Sequence, residues 1–179
     1  MDSFEEIYSN GDVVLVVGPQ AARLRVHSQC LSSASKVFRA MFGPTWSEGK
    51  DLSGDSPKEI PLPEDDPSAL YAICCVVHHR NDLLPQEFSP EDVLKIAIEA
   101  DKYDLFTALK YARTQWLQQR ESNDVIEIAS LMTAALLFDD MDMFVAHGLA
   151  LILHYNGSYV RILENSTICQ ILPDNTICK

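Results

Sequence analysis

Residues 11–42 read GDVVLVVGPQAARLRVHSQCLSSASKVFRAMF, and this stretch decides the fold. From Val13 to Val17 the chain is an apolar, mostly β-branched run opened by Asp12 and closed by Gly18-Pro19, which reads as a strand and a turn. Leu24 and Val26 then alternate with Arg23 and Arg25, the period of a second, half-buried strand. Through His27 the chain enters two short helical patterns, 27–34 and 35–42. The second places Val37, Phe38 and Met41 on one face, and Gly43-Pro44 stops it. A β-hairpin feeding a helix pair is a structural unit, and no catalytic pattern interrupts it.

Upstream, Phe4, Ile7 and Tyr8 fall at helical spacing, so the first ten residues are expected to form a short amphipathic turn. Downstream, 43–57 (GPTWSEGKDLSGDSP) has loop composition, and 59–62 reads as a short strand whose Pro61 suits an edge. Asp66-Pro67 is an N-cap followed by proline at the first helical position, opening a helix to about His79. Ser89-Pro90-Glu91-Asp92 opens another, with Val93, Leu94, Ala97, Ala100 and Tyr103 as its apolar face. A helix over about 105–118 follows, burying Leu109, Ala112 and Trp116. Residues 122–154 then read as a helical pair whose second member is capped by Asp139 or Asp140. From Asn156 onward there is little periodicity.

Composition narrows the function. The 179 residues suffice for one well-buried core, and no apolar run is long enough to span a membrane. The opening Met1-Asp2-Ser3-Phe4-Glu5-Glu6 lacks the apolar core of a secretory signal. Five cysteines without regular spacing fit reduced thiols in the cytoplasm or nucleus rather than a disulfide framework. A net charge of −12 argues against binding a phosphate backbone, which needs clustered Lys and Arg. The same charge keeps a protein soluble and favours basic partner surfaces.

Four motifs, in order, resemble the BTB/POZ family. They are the Asp-Val strand opening (Asp12-Val13-Val14-Leu15-Val16), the His-x-x-x-Leu helix start (His27 to Leu31), the Ser-x-x-Phe-x-x-Met-Phe helix (Ser35 to Phe42), and the turn IAIEADKYDL from Ile96 to Leu105. The likeness covers about 11–118 and is nearest to a fungal-type stand-alone BTB domain with a short C-terminal helical extension. It implies an α+β fold, a small mixed sheet clasped by a helical cluster and followed by extra helices. The expected organisation is a short N-terminal segment (1–10), a BTB/POZ domain (11–118), a helical extension (119–155) and a C-terminal tail (156–179).

The resemblance also implies a protein-binding role. Family members dimerise through an N-terminal element and the first helix, which here makes Phe4, Ile7 and Tyr8 candidate contacts of a homodimer. Some dock on a cullin scaffold of a ubiquitin ligase through a hydrophobic-x-Glu triplet after the Met-Phe helix; Trp46-Ser47-Glu48 stands at that place. An exposed aromatic can fill a pocket while a carboxylate meets a basic partner; alternatively Trp46 covers the domain's own core and Glu48 is simply solvated. Where the family carries Tyr-x-Tyr-Thr-Gly near its scaffold-binding surface, this chain has Val76-Val77-His78-His79-Arg80-Asn81. His78 and His79 therefore join the candidate partner-binding residues and would alter such an interface. A client of such an adaptor would be held by 119–179 or by a partner protein.

Other chemistries are weaker. Cys74/His78 and Cys75/His79 are i, i+4 pairs, but they point about 100° apart, so one helix cannot wrap all four around one metal ion. His27 and Cys30 lie close in sequence but lack an evident oxyanion site, and read as a core histidine and a small hydrophobe. Met141-Asp142-Met143-Phe144 is either an adaptable binding surface or core. The expectation is a non-enzymatic adaptor without a cofactor, binding neither nucleic acid nor membrane. The alternatives are a transcriptional co-regulator scaffold and a small metal- or cysteine-dependent enzyme.

Overall fold

The computed structural model describes residues 4–44, 47–50, 52–118, 122–155 and 157–172. The hairpin is present as β2 (Val13–Val17) and β3 (Ala22–Val26), antiparallel, with Leu15 opposite Leu24. Gly18 has φ +70°, and a Cβ there would come 2.8 Å from the Pro67 ring, so the turn needs glycine at this point. The edge strand β4 (Lys58–Leu62) runs parallel to β2, and β1 (Phe4–Glu6) runs parallel to β3 on the other side. The four-stranded order is β1-β3-β2-β4. Pro61, which cannot donate to a ladder, sits in an edge strand as expected.

β1 corrects the sequence reading. Helical spacing of Phe4, Ile7 and Tyr8 predicted an amphipathic turn, yet the backbone pairs with β3 in the register Phe4↔Arg23 to Glu6↔Arg25. The local pattern is too short to outweigh the donors and acceptors that a free β3 edge offers.

Helix α1 (Ser28–Ala34) starts at His27, whose Nδ1 accepts from the Gln29 N–H. Asp12 fixes that start to β2: its carboxylate accepts from the Ser28 N–H and hydroxyl, both at 2.7 Å. Ser35 separates α1 from α2 (Lys36–Met41) by capping the Phe38 N–H while donating its hydroxyl to the Tyr103 carbonyl at 2.5 Å. Helix α3 (Pro67–Val77) has Asp66 as its cap, and α4 (Pro90–Lys102) begins at Ser89, whose hydroxyl accepts from the Asp92 N–H. The α3 pattern was expected to run to His79; instead His78 and His79 form its cap.

Packing divides the chain into two compact units, Met1–Gln86 with Glu99–Ala112, and Glu87–Ile98 with Arg113–Lys179; α4 contributes to both. In the first, Phe38 stacks on Tyr103 at 4.4 Å, and the buried Asp65 accepts from the Tyr103 hydroxyl and from Lys102. Burial, joined by the Asp65 carboxylate, raises the Glu99 carboxyl pKa, and Glu99 Oε1 accepts from the Asp66 N–H at 2.8 Å.

The second unit takes α5 (Lys110–Trp116) only from Arg113 on; the helix starts later than the expected 105 or so because Leu105 still belongs to the turn closing α4: its N–H reaches the Ala100 carbonyl. There α6 (Val125–Leu137) is buried continuously from Ile128 to Ala135 and packs against α7 (Met141–His154). His147 of α7 faces the interior, with Nε2 3.0 Å from the Leu117 carbonyl. The aperiodic tail expected after Asn156 instead holds two short helices, α8 (Val160–Glu164) and α9 (Ser166–Ile171), buried through Ile162 and Ile168. Each is too short for apolar periodicity to register, although Asn165 caps α9 by accepting from the Ile168 N–H. Residues 173–179 of that tail lie outside the described residues.

Candidate protein-interaction surface

The C-terminal end of α3 meets the N-terminal segment. His79 takes φ +59°, and two bonds close the helix: His79 N–H to the Val76 carbonyl and Arg80 N–H to the Cys75 carbonyl. This is a Schellman cap without the usual glycine. The reversal turns His78 inward, where Nε2 accepts from the His27 N–H at 2.9 Å and Nδ1 meets the Cys74 carbonyl at 2.8 Å. An imidazole with an N–H donor at one end and a carbonyl at the other must be neutral and protonated on Nδ1. Burial lowers its pKa, against the opposing pull of the Cys74 carbonyl.

Tyr8 covers this pair, its ring edge-on to His27 at 5.3 Å and tilted to His78 at 6.0 Å. Arg80 reaches the Ile7 carbonyl with its guanidinium and pairs with Asp82 at 3.0 Å. Of the candidate contacts on this side, Ile7 is buried to 1% exposure and His78 to 6%, so both are parts of the core rather than docking residues. Tyr8 and His79 remain at the surface. Phe4 contributes its backbone to β1.

The loop after α2 forms a second feature. Trp46 lies outside the described residues. Ser47 and Glu48 belong to a single 3-10 turn, Ser47–Gly49, which is held from below: Lys58 of β4 donates to the carbonyls of Ser47 and Lys50. Gly49 is required there, since an added Cβ would lie 2.3 Å from the carbonyl oxygens of Phe42 and Gly43. Glu48 accepts from the Ser47 hydroxyl at 2.9 Å. Its own backbone N–H and that hydroxyl hold its carboxyl below the usual range, so it is ionised at neutral pH.

Among the described residues the rival chemistries find no supporting geometry. Cys74 is fully buried and burial pushes its thiol up, while Cys75 is pushed up to about 11. Both His78 nitrogens are already engaged, and among the described residues no three His, Cys, Asp or Glu side chains gather into a metal site. Burial, then the Asp12 carboxylate, pushes the Cys30 thiol up, the opposite of what a nucleophile needs.

The family model of the BTB/POZ domain matches residues 1–121, the span that holds the strand hairpin, the capped helix pair and the turn closing α4. The chain belongs to the BTB/POZ family. No curated protein matches it. BTB/POZ domains mediate protein–protein interaction, which directs attention to the exposed features of this one rather than to a pocket. Sequence reasoning did not foresee that His78 and Arg80 tie the N-terminal segment to α3. The only signal lay in the polar His78-His79-Arg80 run at a helix end.

Proposed function

We propose that this BTB/POZ protein is an adaptor, acting in the cytoplasm or nucleus, that docks on a cullin-type ubiquitin-ligase scaffold through the loop carrying Trp46, Ser47 and Glu48. The observation that carries this reading is the preformed Ser47–Gly49 turn, fixed by Lys58 and by the close approach of Gly49 to α2. A turn already in shape loses little conformational entropy on docking. The ionised Glu48 supplies a fixed negative charge to a basic partner surface.

The test is a titration of the full chain with a cullin N-terminal domain by calorimetry. Glu48→Lys is expected to weaken binding by at least ~10-fold and Trp46→Ala by more, as anchor aromatics dominate such interfaces. Affinity unchanged by both substitutions, or no binding by the parent protein, overturns the reading.

A further inference from the structure

Two Ser-Pro dipeptides occur in the chain, Ser56-Pro57 and Ser89-Pro90, and no Thr-Pro. The fold treats their hydroxyls differently. Ser89 caps α4: its hydroxyl accepts from the Asp92 N–H and donates to the Asp92 carboxylate at 2.6 Å, with Glu91 alongside. A further negative group there would meet two carboxylates already in place. Ser56 is exposed in the bend that leads into β4, and its hydroxyl has no partner among the described residues. Pro57 biases Ser56 away from helical backbone, so this hydroxyl stands on an accessible, non-helical stretch.

The surroundings of Ser56 are basic, in a chain whose net charge is −12. Arg25 anchors the bend, donating from Nη2 to the Gly54 carbonyl at 2.8 Å and from Nε to the Gly11 carbonyl at 3.1 Å. On the other side of Ser56, Lys58 holds the Ser47–Gly49 turn through the carbonyls of Ser47 and Lys50. The Cα atoms of Ser56 and Lys58 are at most about 7 Å apart, a gap that a phosphoserine and a lysine side chain span together.

We propose that Ser56 is a phosphorylation site for a proline-directed protein kinase, and that its phosphate takes Lys58 away from the Ser47–Gly49 turn. The serine oxygen attacks the γ-phosphorus of ATP, and the bond from that phosphorus to the β,γ-bridging oxygen breaks. ADP leaves with the electron pair, and the hydroxyl proton passes to the kinase's catalytic carboxylate. The product carries nearly two negative charges and three strong acceptor oxygens at neutral pH. A phosphate attracts an ammonium by full charge as well as by hydrogen bonding, whereas the Ser47 and Lys50 carbonyls offer only their dipoles. Arg25, fixed at Gly54, adds a second positive charge to the same loop. The carboxyl of Glu48, held down first by its own backbone N–H and the Ser47 hydroxyl, is also drawn down by Lys58. Losing Lys58 therefore alters the shape and the charge of the turn together. The regulation of docking rests on reading this turn as the scaffold-binding element; the modification and the release of the turn do not.

In the first experiment the full chain is incubated with Mg²⁺, ATP and a mitogen-activated protein kinase, and the phosphate is located by tandem mass spectrometry. The expected product carries it on Ser56, and Ser56→Ala abolishes it. A chain left unmodified at Ser56, or modified first at Ser89, overturns the assignment. In the second, the chain is made with phosphoserine at position 56 by recoded translation. The amides of 47–50 should then exchange hydrogen at least ~10-fold faster than in the parent. Lys58→Met keeps the aliphatic stem and removes the ammonium. It should give the same fast exchange without phosphate, and no further change with it. Exchange unmoved by the phosphate, or still accelerated by it in Lys58→Met, overturns the proposal. Titrated with the cullin N-terminal domain, the phosphorylated chain should bind at least ~10-fold more weakly than the parent. Equal or tighter binding overturns the coupling. A parent chain that does not bind the cullin overturns the docking reading alone, since the mass and exchange measurements decide the site and the release without it.

Discussion

Replacing His78 with alanine tests the bridge that joins the end of α3 to the start of α1. At neutral pH the substitution removes two hydrogen bonds and leaves the part-buried His27 N–H without its acceptor. An unsatisfied donor costs about 1–3 kcal/mol, and the lost ring packing under Tyr8 adds about 1 kcal/mol, giving a total of about 2–4 kcal/mol. The effect must also depend on pH. Burial depresses the folded-state pKa of His78 below the unfolded value near 6.5. Between those two values the unfolded chain binds the extra proton, so parent stability is full above about pH 6.5 and falls on acidification, by at most ~1.4 kcal/mol per pH unit. His78→Ala lacks that proton site. The gap between parent and variant should therefore be widest at pH 7.5 and narrow steadily below 6.5. His147, also depressed by burial, titrates in both proteins and cancels in the difference. Urea unfolding of both proteins at several pH values measures the gap, and long-range ¹H–¹⁵N spectra of the parent report the tautomer, expected to be protonated on Nδ1. A gap that does not change with pH, or a ring protonated on Nε2, refutes the reasoning.

Three further outcomes follow from the caps and the loop. His79→Gly and Asp139→Gly each place glycine at a left-handed position now held by an L-residue, with φ +59° and +54°. Each should raise stability by about 0.5–1 kcal/mol in urea unfolding, the relieved backbone strain outweighing the added freedom of the unfolded chain. Asp12→Ala removes both bonds to Ser28 and should cost about 2–3 kcal/mol by the same measurement, with Asp12→Asn losing less. Gly49→Ala forces the Ser47–Gly49 turn away from Phe42 and Gly43, so it should lower stability by about 1–3 kcal/mol and weaken the proposed scaffold docking even with Glu48 intact, as read by calorimetry.

Where residues decide their own conformation, the sequence was legible. The Val13 to Val17 run, the Ser35 break between α1 and α2, and the proline-led starts at Asp66-Pro67 and Ser89-Pro90 each carry their signal within a few neighbours, and each appears as read. Features set by distant partners were not legible. Nothing in Phe4-Glu5-Glu6 announces a strand; it becomes one because β3 has an edge to fill. Nothing near His78 announces that its acceptor will be used by His27, 51 residues earlier.

The candidate surface divides along the same line. Ile7 and Tyr8 are adjacent and both apolar enough to serve a partner, yet the change from β1 to the following turn buries one and leaves the other outside over two histidines. On α7 the apolar residues announce a buried helix, and periodicity around a fully apolar circumference has no phase from which to choose a dry side. Only the position of α6 decides that His147 and Leu151 turn inward and that Val145 and Leu149 meet water. The composition of this helix asks for cover on all sides, and its own unit covers it on one. That is why the stretch Met141-Asp142-Met143-Phe144 could be read equally as core or as binding surface. Met141 is exposed, and Met143 and Phe144 are partly enclosed.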